Sequence, residues 1–124
     1  MHEPAKTQLG MFAKYWRPGQ VKTRLADSIG NELAAALHRV NIETLVCRFG
    51  GGPNQLADHH ILAISPWDEQ AAFQSMMDTV AESTSVSASV AWQLRPQSSG
   101  GLGQRMTAYF DDAFRKGCER VILI

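Results

Sequence analysis

The chain has 124 residues, 12 lysines and arginines against 12 aspartates and glutamates, and 44% hydrophobic residues. That length supports one domain, and the apolar fraction is that of a globular core, which excludes disordered and collagen-like chains. Balanced charge argues against a coat for nucleic acid, and no apolar run approaches the roughly 20 residues that span a bilayer.

Two distant cysteines, Cys47 and Cys118, fit neither a disulfide framework nor a zinc site. The opening Met1-His2-Glu3-Pro4 lacks the apolar stretch of a secretory signal. The expectation is one cytoplasmic domain over residues 1–124, without nucleic-acid or membrane partners.

Along the chain, Gln8-Leu9-Gly10-Met11-Phe12-Ala13 is a short apolar run that reads as a strand buried on both faces. A helix is expected to begin near Thr23, with Thr23 as its cap. Over residues 31–48, Leu33, Ala36, Leu37, Val40, Thr44 and Cys47 recur at helical spacing, and this stripe is expected to face the core. Gly50-Gly51-Gly52-Pro53 stops that helix. His59-His60-Ile61-Leu62-Ala63-Ile64 reads as a second buried strand, followed by a short helix from Glu69 to Met77.

Val86, Ala88, Val90, Trp92 and Leu94 alternate with more polar neighbours, which predicts a strand with one wet face near a sheet edge. Leu102, Met106, Tyr109, Phe110, Ala113 and Phe114 mark the clearest helix, and Gly117 sits where a left-handed C-terminal residue belongs. The last run, Arg120 to Ile124, is a strand expected to want cover on both faces. Strands alternating with helices indicate an α/β three-layer sandwich with a mostly parallel sheet.

Between Pro4 and Ala26 lie five cations (Lys6, Lys14, Arg17, Lys22 and Arg24) and no acid. Four of these sit in the loop that leaves the first strand and enters a helix. Charge alone fits an ordinary solvated loop equally well. Position favours anion binding, because ligands of open α/β sheets gather beyond the carboxyl ends of strands. In that reading Gly19 permits close approach, Lys22 is a point charge, Arg24 is a fork for phosphate oxygens, and Thr23 lies at the helix start. The loop is not a Walker motif. A second block, Arg95 to Met106, brings Gly100, Gly101, Gly103 and Arg105 to the start of the last helix. Taken alone, glycines there are ordinary turn chemistry.

Phe12-Ala13-Lys14 with Arg17-Pro18-Gly19-x-Val21-Lys22-Thr23-Arg24-Leu25 resembles the opening signature of a glycosyltransferase-A-like family of nucleotide-diphospho-sugar transferases. That family includes members without an assigned function and arsenosugar-biosynthesis glycosyltransferases. Gln97, Leu102-Gly103-x-Arg105-Met106, Ala113-Phe114-x-x-Gly117 and Val121 to Ile124 are similar to its second conserved stretch. Trp16 stands where the family usually has proline, and Gly101 and Gln104 stand in place of two acids.

The resemblance implies the N-terminal part of a nucleotide-sugar fold. Lys14, Arg17, Gly19, Lys22, Thr23 and Arg24 would hold the phosphates, with Gly101, Gly103 and Arg105 on the neighbouring wall. It implies metal-assisted glycosyl or nucleotidyl transfer with Mg²⁺ or Mn²⁺, held in the family by an aspartate just past the strand that here ends at Ile124. The expectation is an incomplete domain, weak or inactive by itself, with no metal anchored in this chain. The rival readings are a non-enzymatic anion-binding module that pairs with another copy through its final strand, and a fragment that does not fold fully alone.

Some residues tempt without carrying chemistry. His59 and His60 open a strand at the end away from the expected site, so a structural or surface role is expected. Cys47, Cys118, Met76, Met77, Trp67 and Trp92 are expected to pack, and Asp111 and Asp112 to lie on a wet helix face.

Overall fold

The computed structural model describes residues 6–50, 57–83 and 92–124. Four parallel strands alternate with helices: β1 (Thr7–Lys14), α1 (Thr23–Ile29), α2 (Asn31–Phe49), β2 (His59–Ser65), a 3-10 turn (Trp67–Glu69), α3 (Gln70–Ser83), β3 (Gln93–Pro96), α4 (Leu102–Arg115) and β4 (Arg120–Leu123). The sheet order is β3-β2-β1-β4. Its register sets Gln8 against His59 and Val121, and Leu62 against Leu94. The α/β layered architecture expected from the sequence is the one present.

Side chains of a strand alternate between faces, so β1 serves two layers. Leu9, Met11 and Ala13 join Leu62 and Ile64 of β2 in one core with Ile42 and Val46 of α2, Phe73 and Met76 of α3, and Trp92. The opposite face belongs to α4. There Phe12 meets Tyr109 edge-on with ring centroids 5.8 Å apart, and the Gln8 amide donates to the Tyr109 hydroxyl at 2.7 Å. Gly10 is required beneath that ring, because a Cβ would overlap the Tyr109 hydroxyl and Cζ. Burial raises the Tyr109 pKa above its usual value, and the Gln8 hydrogen bond opposes that shift.

Several expectations need correcting. The stripe Leu33, Ala36, Leu37, Val40, Thr44 and Cys47 faces solvent; α2 buries Ala34, Ala35, Ile42 and Val46 instead. The helix has apolar residues on two sides, and its small side chains fit closest to the sheet. Cys47 is exposed with this stripe, whereas Cys118 is buried. Trp67 is partly exposed, and Trp92 is buried, donating from its indole to the Val46 carbonyl at 3.1 Å.

On α4 only Ala113 is fully buried, while Leu102, Met106 and Phe114 are exposed. β4 is an edge strand with Ile122 and Ile124 exposed, so its expected cover on both faces is not present among the described residues. α3 runs six residues beyond Met77, to Ser83. Of the alternating strand read around residues 86–94, positions 86–91 lie outside the described residues; β3, at the other sheet edge, holds Gln93 and Leu94. Gly117 has the left-handed φ of 98° expected of it.

His60 is a buried structural histidine, packed edge-on against Trp92 at 5.1 Å. Its Nδ1 has no hydrogen-bond partner. Burial lowers its pKa from the usual 6.5; a hydrogen bond with the Phe49 backbone opposes the shift, and neighbouring His59 adds to it. The unfolded chain therefore takes up this proton at a higher pH than the folded one. The histidine's contribution is intact above about pH 6.5 and is lost as pH falls through the folded-state value. Urea midpoints of the parent and His60→Phe between about pH 7 and about pH 5 should fall more steeply in the parent. Gly10→Ala should lower stability by about 1–3 kcal/mol, read by the same unfolding experiment, because Tyr109 must be pushed from its seat.

Candidate phosphate-binding site

The strands end in step, with Lys14 beside Ser65 and Ile64 beside Pro96. Carbonyls at strand ends need donors, and the residues just past each strand supply them. The Tyr15 N–H donates to the Ser65 carbonyl at 2.8 Å, the Gln97 N–H to Ile64 at 3.1 Å, and the Ile124 N–H to Gly10 at 2.9 Å. From α2, His38 Nε2 donates to the Lys14 carbonyl at 2.8 Å, which fixes the proton on that nitrogen.

Gln97 does more. Its side-chain amide nitrogen donates to the carbonyls of Ala63 at 2.9 Å and Ala13 at 3.4 Å, and its oxygen accepts from Arg105 Nη1. One glutamine thus spans the ends of β1 and β2 and tethers the first turn of α4. The Arg105 Nε is buried and has no partner. The sequence signal for this role is a polar residue directly after a strand, and it does not by itself mark Gln97 as the bridge between β1 and β2.

The basic loop hangs from an aromatic anchor. Tyr15 and Trp16 both pack on Phe73, at 6.4 and 5.1 Å, and the Arg39 guanidinium lies 4.8 Å over the Trp16 ring. Trp16 therefore has a packing reason to differ from proline. The chain then turns through Pro18 and Gly19, whose φ of 85° suits glycine.

Lys22 precedes α1 in the left-handed region, with φ 48° and ψ 47°, which is uncommon for a residue with a side chain. Thr23 is the first residue of α1 rather than its cap, and no side chain caps that helix. Arg17 is committed to Glu69 at 3.0 Å and lies over the Tyr15 ring. Lys14, Lys22 and Arg24 are exposed, and their side chains form no hydrogen bond or ion pair among the described residues.

At the other wall, Gly101 precedes α4 and its N–H is taken by Gln104 Oε1 at 2.9 Å. Gln104 thus acts as the reaching-back half of a cap where the family pattern has an acid. Gly100 has φ 102° and no room for a Cβ beside Gln104. Gly103 is different: it is helical, and nothing lies within 4 Å of the position a Cβ would take. Arg105, Gln97 and Ser98 border a cleft of about 720 Å³ between α4 and the sheet, floored by Phe12, Ile61 and Ala63. The basic-loop residues do not line that cleft; they meet its rim only through the Gln97 bridge to Ala13.

Among the described residues, no three His, Cys, Asp or Glu are grouped to hold a metal ion. Likewise, no described helix is long and apolar enough to cross a membrane.

No family model and no curated protein matches the chain. A solved structure from Desulfovibrio desulfuricans, described as a “putative nucleotide-diphospho-sugar transferase”, is similar with a TM-score of 0.77 and 25% identity. The similarity covers 98% of this chain and 47% of that one, so the chain spans about half the length of the protein it matches.

Gln97→Leu should cost about 1–3 kcal/mol in urea unfolding, because strand-end carbonyls and Arg105 lose a partner at once. Lys22→Ala, which breaks no internal contact, should leave the midpoint nearly unchanged.

Proposed function

We propose that this chain is the nucleotide-binding part of a nucleotide-diphospho-sugar transferase, with the basic loop from Ala13 to Arg24 as its phosphate contact. The observation that carries the reading is that Lys14 at the end of an interior strand, Lys22 in the loop after it and Arg24 in the first turn of α1 form no ion pair among the described residues. Solvated cations are ordinary by themselves; their place just beyond the carboxyl end of an interior strand is what favours an anionic ligand. An anionic ligand supplies the partner they lack. The similarity to the D. desulfuricans protein supports the nucleotide-sugar class.

In this reading Lys14 and Lys22 act as point charges on a diphosphate, and Arg24 as a two-pronged donor. Gly19 lets the backbone approach, with Thr23 at the helix start beside it. Arg17 serves chiefly to hold the loop through Glu69. Arg105, held by Gln97, presents positive charge on the second wall, and Gly101 and Gly103 keep that wall open. These groups would neutralise a pyrophosphate and orient it, which serves glycosyl and nucleotidyl transfer alike.

A divalent cation such as Mg²⁺ or Mn²⁺ would add charge neutralisation at the leaving pyrophosphate. Just beyond the strand ends the described carboxylates are Asp68 and Glu69; Glu69 is taken by Arg17, and no three His, Cys, Asp or Glu are grouped to hold a metal ion among the described residues. By themselves they do not fit such a cation.

Calorimetric titration with nucleoside diphosphates and nucleotide sugars tests the reading. Saturable binding is expected, weakened at least about tenfold in Lys22→Ala/Arg24→Ala, equivalent to about 1.4 kcal/mol. Binding that ignores the double substitution, or no binding by the folded chain, would overturn it.

A further inference from the structure

The cleft beside α4 is used neither by the fold nor, apart from Arg105, by the proposed phosphate site. α4 packs on β1 through Tyr109 and beside β4, and the same face of β2 and β3 borders the open space. Strand register sets Phe12, Ala63 and Arg95 in one row across that face, with Ile61 beside Gln93 in the row before. Ala63 is the small member of its row, so the cleft deepens there, between Phe12 and Arg95. Ile61 and Ala63 are only 7% and 3% exposed, which makes them the bottom of a cavity and not a flat face. The volume of about 720 Å³ lies within the range of small-molecule sites, about 300–1,000 Å³.

Charge says what kind of molecule fits. In a chain whose charges balance, the cleft is bordered by five cations (Lys6, Arg95, Arg105, Arg115 and Lys116) and two acids, Asp111 and Asp112. Lys116 is paired with Asp112 at 3.0 Å, while Lys6, Arg95, Arg105 and Arg115 form no ion pair among the described residues. The charges are also sorted by position. A crossover helix runs back along its strands, so both acids lie toward the strands' amino ends. Arg105, in the first turn of α4, and Arg95, near the end of β3, stand at the carboxyl end, where the cleft has no acid. There the buried Arg105 Nε lacks a hydrogen-bond partner. Apolar groups of Ile61, Ala63 and Ala108 lie between the two ends.

We propose that this cleft binds an amphiphilic anion, with a carboxylate or phosphate head on Arg95 and Arg105 and an alkyl chain along Ala63 and Ile61. From Ala63 back to His59 the strand runs about 13 Å, which accommodates a chain of about ten carbons. A head alone leaves the apolar floor bare, and a chain alone leaves two guanidinium groups without a counter-charge. The proposal does not rest on the phosphate-loop reading; Arg105 is common to both, so the test turns on other residues.

The test is titration of the full chain with decanoate and with decyl phosphate, below their micellar concentrations, followed by amide NMR spectra. Decanol and inorganic phosphate serve as the chain alone and the head alone. Saturable binding of a headed chain is expected, with shifts at Ile61, Ala63, Arg95 and Ala108, and the tighter of the two names the head. Decanol and inorganic phosphate should each bind at least about tenfold more weakly. Arg95→Glu and Ala108→Trp, both at exposed positions, should each weaken binding at least about tenfold, and Lys22→Ala/Arg24→Ala should not change it. Should either single variant lose its circular dichroism signature, Arg95→Gln or Ala108→Leu answers in its place. No saturable binding by the folded chain, decanol binding as tightly as decanoate, or shifts confined to the basic loop would overturn the proposal. So would binding that survives both single substitutions or is lost with Lys22 and Arg24. Nucleoside diphosphates that fail to bind while decanoate still does would sink only the phosphate-loop reading.

Discussion

The structure depends on covering one strand from both sides. β1 is interior in the sheet, and its alternate residues feed two separate layers: Leu9, Met11 and Ala13 toward α2 and α3, Gly10 and Phe12 toward α4. The two layers are packed differently. The first is an ordinary aliphatic core in which small residues of α2 lie close to the sheet. The second is thinner and rests on the Tyr109 ring, which lies flush with the sheet only because Gly10 has no side chain. Removing either cover would expose a strand that has no polar face.

The requirement that buries β1 also shapes its end. A strand enclosed by two neighbours must hand its last carbonyls to something, and here the donors come from two distant segments: His38 to Lys14 and Gln97 to Ala13. Gln97 then carries Arg105 with it. Stability and the candidate site are therefore linked at one amide. The basic loop, by contrast, is anchored by Trp16 and Tyr15 on Phe73, while its free cations take no part in holding the fold. That separation lets the phosphate contacts and the fold be perturbed independently.

This division explains what was legible in the sequence. β1 and β2 were readable because strands buried on both faces leave uninterrupted apolar runs. The cationic segment was readable because four positive residues from Lys14 to Arg24 without an acid are conspicuous. The direction in which α2 faces was not, since a helix with apolar residues on two sides has no single amphipathic solution. Periodicity selected Leu33, Leu37 and Val40, whereas packing distance selected Ala34, Ala35, Ile42 and Val46. The fate of Arg17 was equally hidden, because Glu69 lies 52 residues away and only the parallel register brings it near. β4 read as a strand wanting cover on both faces, and the structure leaves it at a sheet edge with Ile122 exposed.

The topology supplies the reason these segments converge. From β1 through β2 to β3 the chain steps in one direction across the sheet, and β4 then returns to the far side of β1. Parallel crossovers are right-handed, so reversing direction moves the connecting helix to the opposite face. That is why α4 alone lies against Phe12 while α2 and α3 share the other layer. At the carboxyl ends, the connection leaving β1 turns into the α2 layer and the one leaving β3 turns into α4 on the other face. The segment carrying Lys14, Lys22 and Arg24 leaves from the end of β1. The first turn of α4, with Gly103 and Arg105, is drawn in through Gln97. A reversed strand order is thus sufficient to bring two segments, separated by some eighty residues of chain, to one end of the sheet.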